Sequence, residues 1–261
     1  MLGKLLKHEL KATSRLLIPL YLILIGISLL NRIMLSFQDV NWMMMFISNL
    51  LTAGFLFILV AVFAVTTVIM ITRFYKNLIG DEGYLMFTLP VKPNQLITSK
   101  LIISVFWILI GIASVIVTLY ITFATPERMD FIYQNLKDAS EELRAAFGGS
   151  LSFVVAEMIL LCIVSLFANI LMLYLSIAIG QLFNGRRILG SFIAYIGIYT
   201  ALQLFLLIGV GVCILFNWDS VNNFNTFPPV FFPLAIFMLI LCCIGMYGGT
   251  SYILNKKLNL E

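Results

Sequence analysis

Six apolar stretches follow one another along this 261-residue chain, and each can cross the ~30 Å hydrocarbon core of a bilayer as a helix. Only 11% of the residues are charged, whereas a soluble domain carries about 25%. We find none of the alternating segments of ~10 residues that form a membrane barrel. The sequence therefore predicts an all-α membrane protein with six transmembrane helices. These lie at about residues 16–36, 46–71, 98–123, 151–182, 188–216 and 229–254.

The lysines and arginines are unevenly divided between the connecting segments, and this division predicts the orientation of the chain. Twelve of the sixteen lie in one alternating set of segments, at 1–15, 72–100, 183–187 and 255–261. Three lie in the other set, at 37–45, 124–150 and 217–228. Because segments rich in Lys and Arg stay on the cytoplasmic side, both termini are predicted to be cytoplasmic.

The first 15 residues have the pattern of an amphipathic helix. Leucines at positions 2, 5, 6 and 10 share one face, while Lys4, Lys7 and Lys11 lie off that face. This pattern is typical of a helix that lies in the membrane interface with its lysines towards anionic headgroups. We therefore predict a separate interface helix at 1–15. The only histidine, His8, is interpreted as a polar residue on its surface.

A second amphipathic pattern lies in the segment 124–150, on the predicted outer side. Thr125-Pro126-Glu127 combines an N-cap residue, a proline at the first helical position and an acid. Apolar residues follow at alternating spacings of three and four, and Gly148-Gly149 ends the pattern. We predict an outer helix over 126–147. It either packs on the bilayer and neighbouring spans, or forms a lid or docking surface over a substrate exit.

Several kinds of catalytic and binding site are missing from the sequence. It holds no H-E-x-x-H or G-x-S-x-G signature and no G-x-x-x-x-G-K-[ST] loop. The four cysteines fall inside apolar stretches without a C-x-x-C pair, so neither a metal site nor a disulfide framework is predicted. We expect no catalytic residue, no metal and no nucleic-acid partner. Any ATP that the protein uses must be bound by another subunit.

Two charged residues lie within the predicted spans. Arg32 in the first span and Glu157 in the fourth are both near the outer ends, and their depths differ by only ~3 Å on the helical rise. Charges inside the membrane are usually paired or functional. The two residues are predicted either to form an ion pair between spans one and four, or to extend separately to the outer interface.

The segment 72–100 is the most unusual part of the chain, because it places apolar residues among charges and prolines. Gly80 can end the helix that continues from the second span. An acidic pair suited to a helix start and four apolar residues follow: Asp81, Glu82, Tyr84, Leu85, Met86 and Phe87. Pro90 closes the segment. This predicts a short apolar helix on the cytoplasmic side, which either fills a cleft in a partner or folds back onto the interface.

The same segment resembles part of a known family. The run GYLMFTLPV at 83–91, followed by LITSKL at 96–101, is similar to the cytoplasmic loop between spans two and three in permease subunits of ATP-binding cassette (ABC) exporters of the type 2 family. The basic N-terminal helix and the six spans with both ends inside are similar as well. Two departures are the outer helix at 126–147, which is longer than the family minimum, and the stretch 217–230, which is shorter than the re-entrant outer elements of many members.

The resemblance implies that the loop is a coupling helix seated in a cleft of an ATPase subunit, with the acidic pair and the four apolar residues as its contact surface. It also implies two ABC ATPase subunits that bind ATP and Mg, and a second permease, identical or homologous. The chain would then be a single permease domain (1–261) in a bacterial plasma membrane, exporting a lipid, peptide or drug-like substrate. Two alternatives stay open: an ion-gradient-driven transporter, and a membrane sensor or immunity-type protein without transport.

Overall fold

The computed structural model describes residues 2–78, 93–147, 151–183, 186–216 and 227–256. Within these residues the chain forms seven α-helices and no strand, in agreement with the predicted fold class. In chain order they are α1 (Leu2–Ser36), α2 (Trp42–Leu78), α3 (Pro93–Phe123), α4 (Pro126–Phe147), α5 (Leu151–Gly180), α6 (Arg187–Phe216) and α7 (Phe227–Lys256).

Six of these helices, all except α4, are long and apolar enough to cross a membrane. Their positions confirm the six predicted spans. The protein is therefore a multi-pass membrane protein. The side of the membrane on which each end lies stays a prediction.

The N-terminal residues are part of the first span and do not form a helix of their own. We predicted a separate interface helix at 1–15, but α1 runs without interruption from Leu2 to Ser36. The helix even continues through Pro19, which lies inside α1 without ending it. The predicted faces are nevertheless distinct, since the four leucines are half-buried and the lysines are exposed.

Helix α4 has the bounds that we predicted for the outer helix. Thr125 caps it: the Thr125 Oγ1 atom accepts a hydrogen bond from Arg128 N (3.4 Å), and the Thr125 carbonyl accepts one from Met129 N (2.8 Å). Apolar side chains on α4 are exposed, among them Phe131 (69%) and Leu136 (64%). The two uses predicted for this helix, packing on the bilayer and acting as a lid, stay predictions.

The contacts of the chain group it into two compact units. The first consists of Met1–Arg73 and Thr98–Gln134, and the second of Phe74–Ile97 and Asn135–Glu261. In the first unit, a core forms where α1, α2 and α3 meet. Nine buried apolar side chains make up this core: Leu17, Tyr21, Leu24, Phe55, Leu59, Val62, Met70, Ile103 and Trp107.

In the second unit, the helices α5 and α6 approach closely at the turn that joins them. A Cβ atom added at Gly180 would lie 2.5 Å from Ser191 N and 2.7 Å from Ser191 Cα. Those distances are shorter than van der Waals contact, so only glycine fits between the end of α5 and the first turn of α6. This close approach determines where the start of α6 lies relative to α5.

Candidate functional site

The described residues contain a buried carboxylate that pairs with two cations. Glu9 on α1 is only 6% exposed, and its Oε1 atom lies 2.5 Å from Lys100 Nζ on α3. Its Oε2 atom lies 3.6 Å from Arg73 Nη2 on α2. One side chain therefore connects α1, α2 and α3 within the first unit. The charges also compensate one another, which a buried carboxylate requires.

Two neutral side chains extend this arrangement along α1 and α3. Thr13 donates a hydrogen bond from Oγ1 to the Glu9 carbonyl oxygen (2.8 Å), and its Oγ1 accepts one from Trp107 Nε1 (2.7 Å). Trp107 is 3% exposed, so its indole N–H needs such a partner inside the protein. We call Glu9, Thr13, Arg73, Lys100 and Trp107 together the Glu9 cluster.

A further polar contact joins the same three helices at Tyr21, which lies one helical turn after Leu17 on the buried face of α1. The phenol oxygen of Tyr21 lies 3.2 Å from Thr66 Oγ1 on α2 and 3.2 Å from the Trp107 carbonyl oxygen on α3. Buried polar groups with partners in other helices favour one packing arrangement over others, because any shift leaves them without a hydrogen bond. The first unit is therefore held in register by polar contacts as well as by its apolar core.

The Glu9 cluster lies at the two ends of the segment in which we predicted the coupling helix. Arg73 is in the last turns of α2, and Lys100 is near the start of α3. The segment between these helices, residues 79–92, lies outside the described residues. It includes all six predicted contact residues: Asp81, Glu82, Tyr84, Leu85, Met86 and Phe87. We call residues 79–92 the coupling segment.

The residues next to the coupling segment also have specific partners in the second unit. The ring of Phe74 on α2 stacks on the ring of Tyr174 on α5, with centroids 3.8 Å apart and planes inclined by 9°. Near the start of α3, the Asn94 carbonyl accepts a hydrogen bond from Tyr247 Oη on α7 (3.1 Å), and Asn94 Oδ1 accepts one from the Ser251 hydroxyl. Aromatic stacking and hydrogen bonds therefore hold the chain on both sides of the segment.

The predicted intramembrane charges lie in different units. Arg32, in the first unit, donates a hydrogen bond from Nη1 to the Thr122 carbonyl oxygen at 3.4 Å. Glu157, in the second unit, is buried, and its Oε2 atom has no hydrogen-bond partner among the described residues. The ion pair between Arg32 and Glu157 stays a prediction.

An apolar cavity of about 310 Å³ lies between α5, α6 and α7 in the second unit. Its walls include Leu161 and Cys162 from α5, Leu206 from α6, and Phe231 and Met238 from α7. Its volume is at the lower end of the range of ~300–1,000 Å³ that is usual for small-molecule sites. A cavity of this composition suits an apolar group and offers little to a charged one.

Our sequence analysis missed Glu9, although the sequence contains a signal for it. The buried residues of α1 are Glu9, Thr13, Leu17, Tyr21, Leu24, Ser28 and Asn31, at spacings of three and four. Extending the buried face of the first span back towards the N-terminus therefore leads to Glu9. We instead assigned the first turns to an interface helix from the leucines and lysines, and the acid among them received no role.

Comparison of the chain with protein-family models, with curated proteins and with solved structures finds no match in any of the three.

Proposed function

We propose that this chain is the membrane-spanning permease subunit of an ABC exporter. Two observations support the proposal: the resemblance of residues 81–101 to the coupling loop of type 2 exporters, and the position of Arg73 and Lys100 of the Glu9 cluster at the two ends of the segment 72–100 that contains the loop. The second observation is the main support for the proposal, because a loop that transmits force needs its two ends fixed to the helices that must move.

The proposed mechanism follows from that geometry. Two ATPase subunits bind ATP and Mg, close on each other, and displace the coupling segment seated in each of them. Because Glu9 pairs with both Arg73 and Lys100, the ends of α2 and α3 move together and carry α1 with them. A second permease, identical or homologous, completes the pathway for a lipid, peptide or drug-like substrate. The chain itself contributes no catalytic residue to ATP hydrolysis.

The test is to purify the tagged full-length chain from membranes of its native host and to look for an ATPase subunit with a P-loop that hydrolyses ATP. We expect the variant Leu85→Asp plus Phe87→Asp to lose at least ten-fold in co-purified ATPase, because carboxylates without partners in an apolar cleft cost several kcal/mol. The matched control, Phe131→Asp plus Leu136→Asp, changes the same residue types on the exposed face of α4 and should keep the ATPase. ATP hydrolysis by the chain alone, or undiminished ATPase binding by the Leu85 and Phe87 variant, would contradict the proposal.

One observation favours a second candidate, an ion-gradient-driven transporter. Glu157 is a buried acid within a candidate span, with one oxygen that no described residue hydrogen-bonds, and intramembrane acids often bind the coupling ion in such transporters. The two functions are separated by transport into vesicles that contain the purified chain, an imposed proton gradient and no ATPase. Transport that depends on the gradient and is lost in Glu157→Gln would favour this second function.

A further inference from the structure

Two adjacent arginines at the start of α6 are not used by the proposed function. Arg186 precedes α6 and Arg187 is its first residue, and both side chains are exposed. Among the described residues, no carboxylate pairs with either guanidinium group. Within the described residues, two positive charges therefore lie side by side without a carboxylate partner.

These arginines line an open cavity within the second unit. Its volume is about 600 Å³, and its walls are formed by Tyr75 from the last turn of α2 and by Arg186, Arg187, Ile188 and Leu189. The cavity therefore combines two guanidinium groups, a phenol and two apolar side chains, at a place where α2 ends and α6 begins.

The backbone adds to the positive potential of this cavity. Gly190 N donates the first hydrogen bond between residues i and i−4 at the start of α6, to the Arg186 carbonyl oxygen (2.9 Å). The N–H groups of the preceding turn, from Arg187 to Leu189, have no acceptor within the helix. The positive end of the α6 dipole therefore lies at the same place as two arginines, an arrangement that repels cations and favours an anion.

The surroundings of the arginines indicate which anion is suited to the cavity. A candidate membrane span begins at Arg187, so the cavity lies where an apolar helix meets the membrane surface. Ile188 is 86% exposed and Leu189 is 54% exposed, directly beside the charges. A phospholipid fits this arrangement, because its phosphate can bind the guanidinium groups while its hydrocarbon chains contact the isoleucine and leucine. A free phosphate ion would leave those two side chains in water.

We propose that Arg186, Arg187 and Tyr75 form a binding site for the phosphate group of an anionic phospholipid. Each guanidinium donates paired hydrogen bonds to phosphate oxygens, a geometry that suits arginine better than lysine. In the orientation predicted from the distribution of Lys and Arg, the site faces the cytoplasmic leaflet, where anionic lipids attract basic residues. This inference does not depend on the proposed export function.

The test measures lipid retention by the purified full-length chain. The chain is delipidated in mild detergent and titrated with phosphatidylglycerol or phosphatidylcholine, and bound lipid is counted by native mass spectrometry. We expect the wild type to retain one phosphatidylglycerol in preference to phosphatidylcholine. Arg186→Gln plus Arg187→Gln should weaken that retention at least ten-fold, and Arg186→Lys plus Arg187→Lys should weaken it less. The control Arg128→Gln plus Arg144→Gln removes two exposed positive charges from α4 and should behave as the wild type.

A second arm separates a lipid site from a site for free phosphate. Thermal unfolding is followed with phosphatidylglycerol and with inorganic phosphate at equal concentration, for the wild type and the two glutamine variants. Stabilisation by phosphatidylglycerol alone, lost only in the Arg186 and Arg187 variant, supports the inference. Equal stabilisation by inorganic phosphate, equal lipid retention in the wild type and that variant, or equal loss in the α4 control would each overturn it.

Discussion

At the scale of single residues, Glu9 joins three helices of the first unit, because its carboxylate on α1 pairs with a cation on α2 and another on α3. Its partners are far away in the sequence: Arg73 lies at the end of the second span and Lys100 at the start of the third. No local pattern links these three positions, so hydrophobic periodicity could not predict their pairing. Periodicity could have predicted that position 9 is buried, because it continues the buried face of Thr13 and Leu17.

We predict that Glu9→Gln and Lys100→Met each lower the free energy of unfolding by about 3–5 kcal/mol, the usual cost of removing one partner of a buried ion pair. The double variant should recover part of that loss, with a coupling of ~0.5–3 kcal/mol, because it removes both charges. The measurement is reversible unfolding of the four proteins in mixed micelles. The control pair, Lys137 and Glu141 on α4, is exposed with N and O atoms 3.9 Å apart. The same changes there should cost less than ~0.5 kcal/mol, and equal effects at both pairs would contradict the assignment.

At the scale of helices, hydrophobic length predicted the six spans, and capping residues predicted the bounds of α4, because both signals are local and strong. The separate helix at 1–15 was wrong for a related reason. Its amphipathic pattern was present, but amphipathicity does not reveal where one helix stops and the next starts. A helix-breaking residue is the usual signal of such a boundary, but Pro19 lies inside α1 without ending it. The close approach of α5 and α6 at Gly180 also left no signal that distinguishes it from other glycines of the chain.

We predict that Gly180→Ala lowers the free energy of unfolding by about 1–3 kcal/mol, as expected when an extra methyl group is forced into a packed contact. The added Cβ would meet the backbone of Ser191, which cannot move without shifting α6. The control is Gly197→Ala on α6, where no atom lies within 4 Å of the added Cβ. That change should be neutral or slightly stabilising, since alanine favours a helix more than glycine does. A neutral Gly180→Ala would contradict this close approach of α5 and α6.

At the scale of the whole molecule, the Glu9 cluster restricts the path of the chain through the membrane. Glu9 and Arg73 are separated by the apolar parts of α1 and α2, and Arg73 and Lys100 by the coupling segment. The ion pairs require all three residues on the same side of the membrane. An even number of crossings between Glu9 and Arg73 satisfies this requirement, and the six-span alternation predicted from sequence has that property. The distribution of Lys and Arg then predicts which side it is.

We predict that this side is cytoplasmic, and the test uses cysteine labelling. In a chain whose four cysteines are replaced by alanine, Lys7→Cys and Lys137→Cys are introduced separately. In right-side-out vesicles, a membrane-impermeant maleimide should label the cysteine at position 137 and should label the one at position 7 only after permeabilisation. The cysteine-free chain is the control for background. The opposite labelling pattern would invert the predicted topology while leaving the Glu9 cluster intact.

The order of protein synthesis gives the Glu9 pairing a consequence for how the chain is assembled. Glu9 leaves the ribosome before Arg73 and Lys100, which follow only after the apolar parts of α1 and α2 have been made. Until then its carboxylate has no counter-charge and stays in water, because burying a lone charge is costly. We therefore expect the turn of α1 that holds Glu9 to join the packed structure together with the base of α3. On this expectation, the turn around Glu9 is among the last parts of the first unit to be completed, although it is made before α2 and α3.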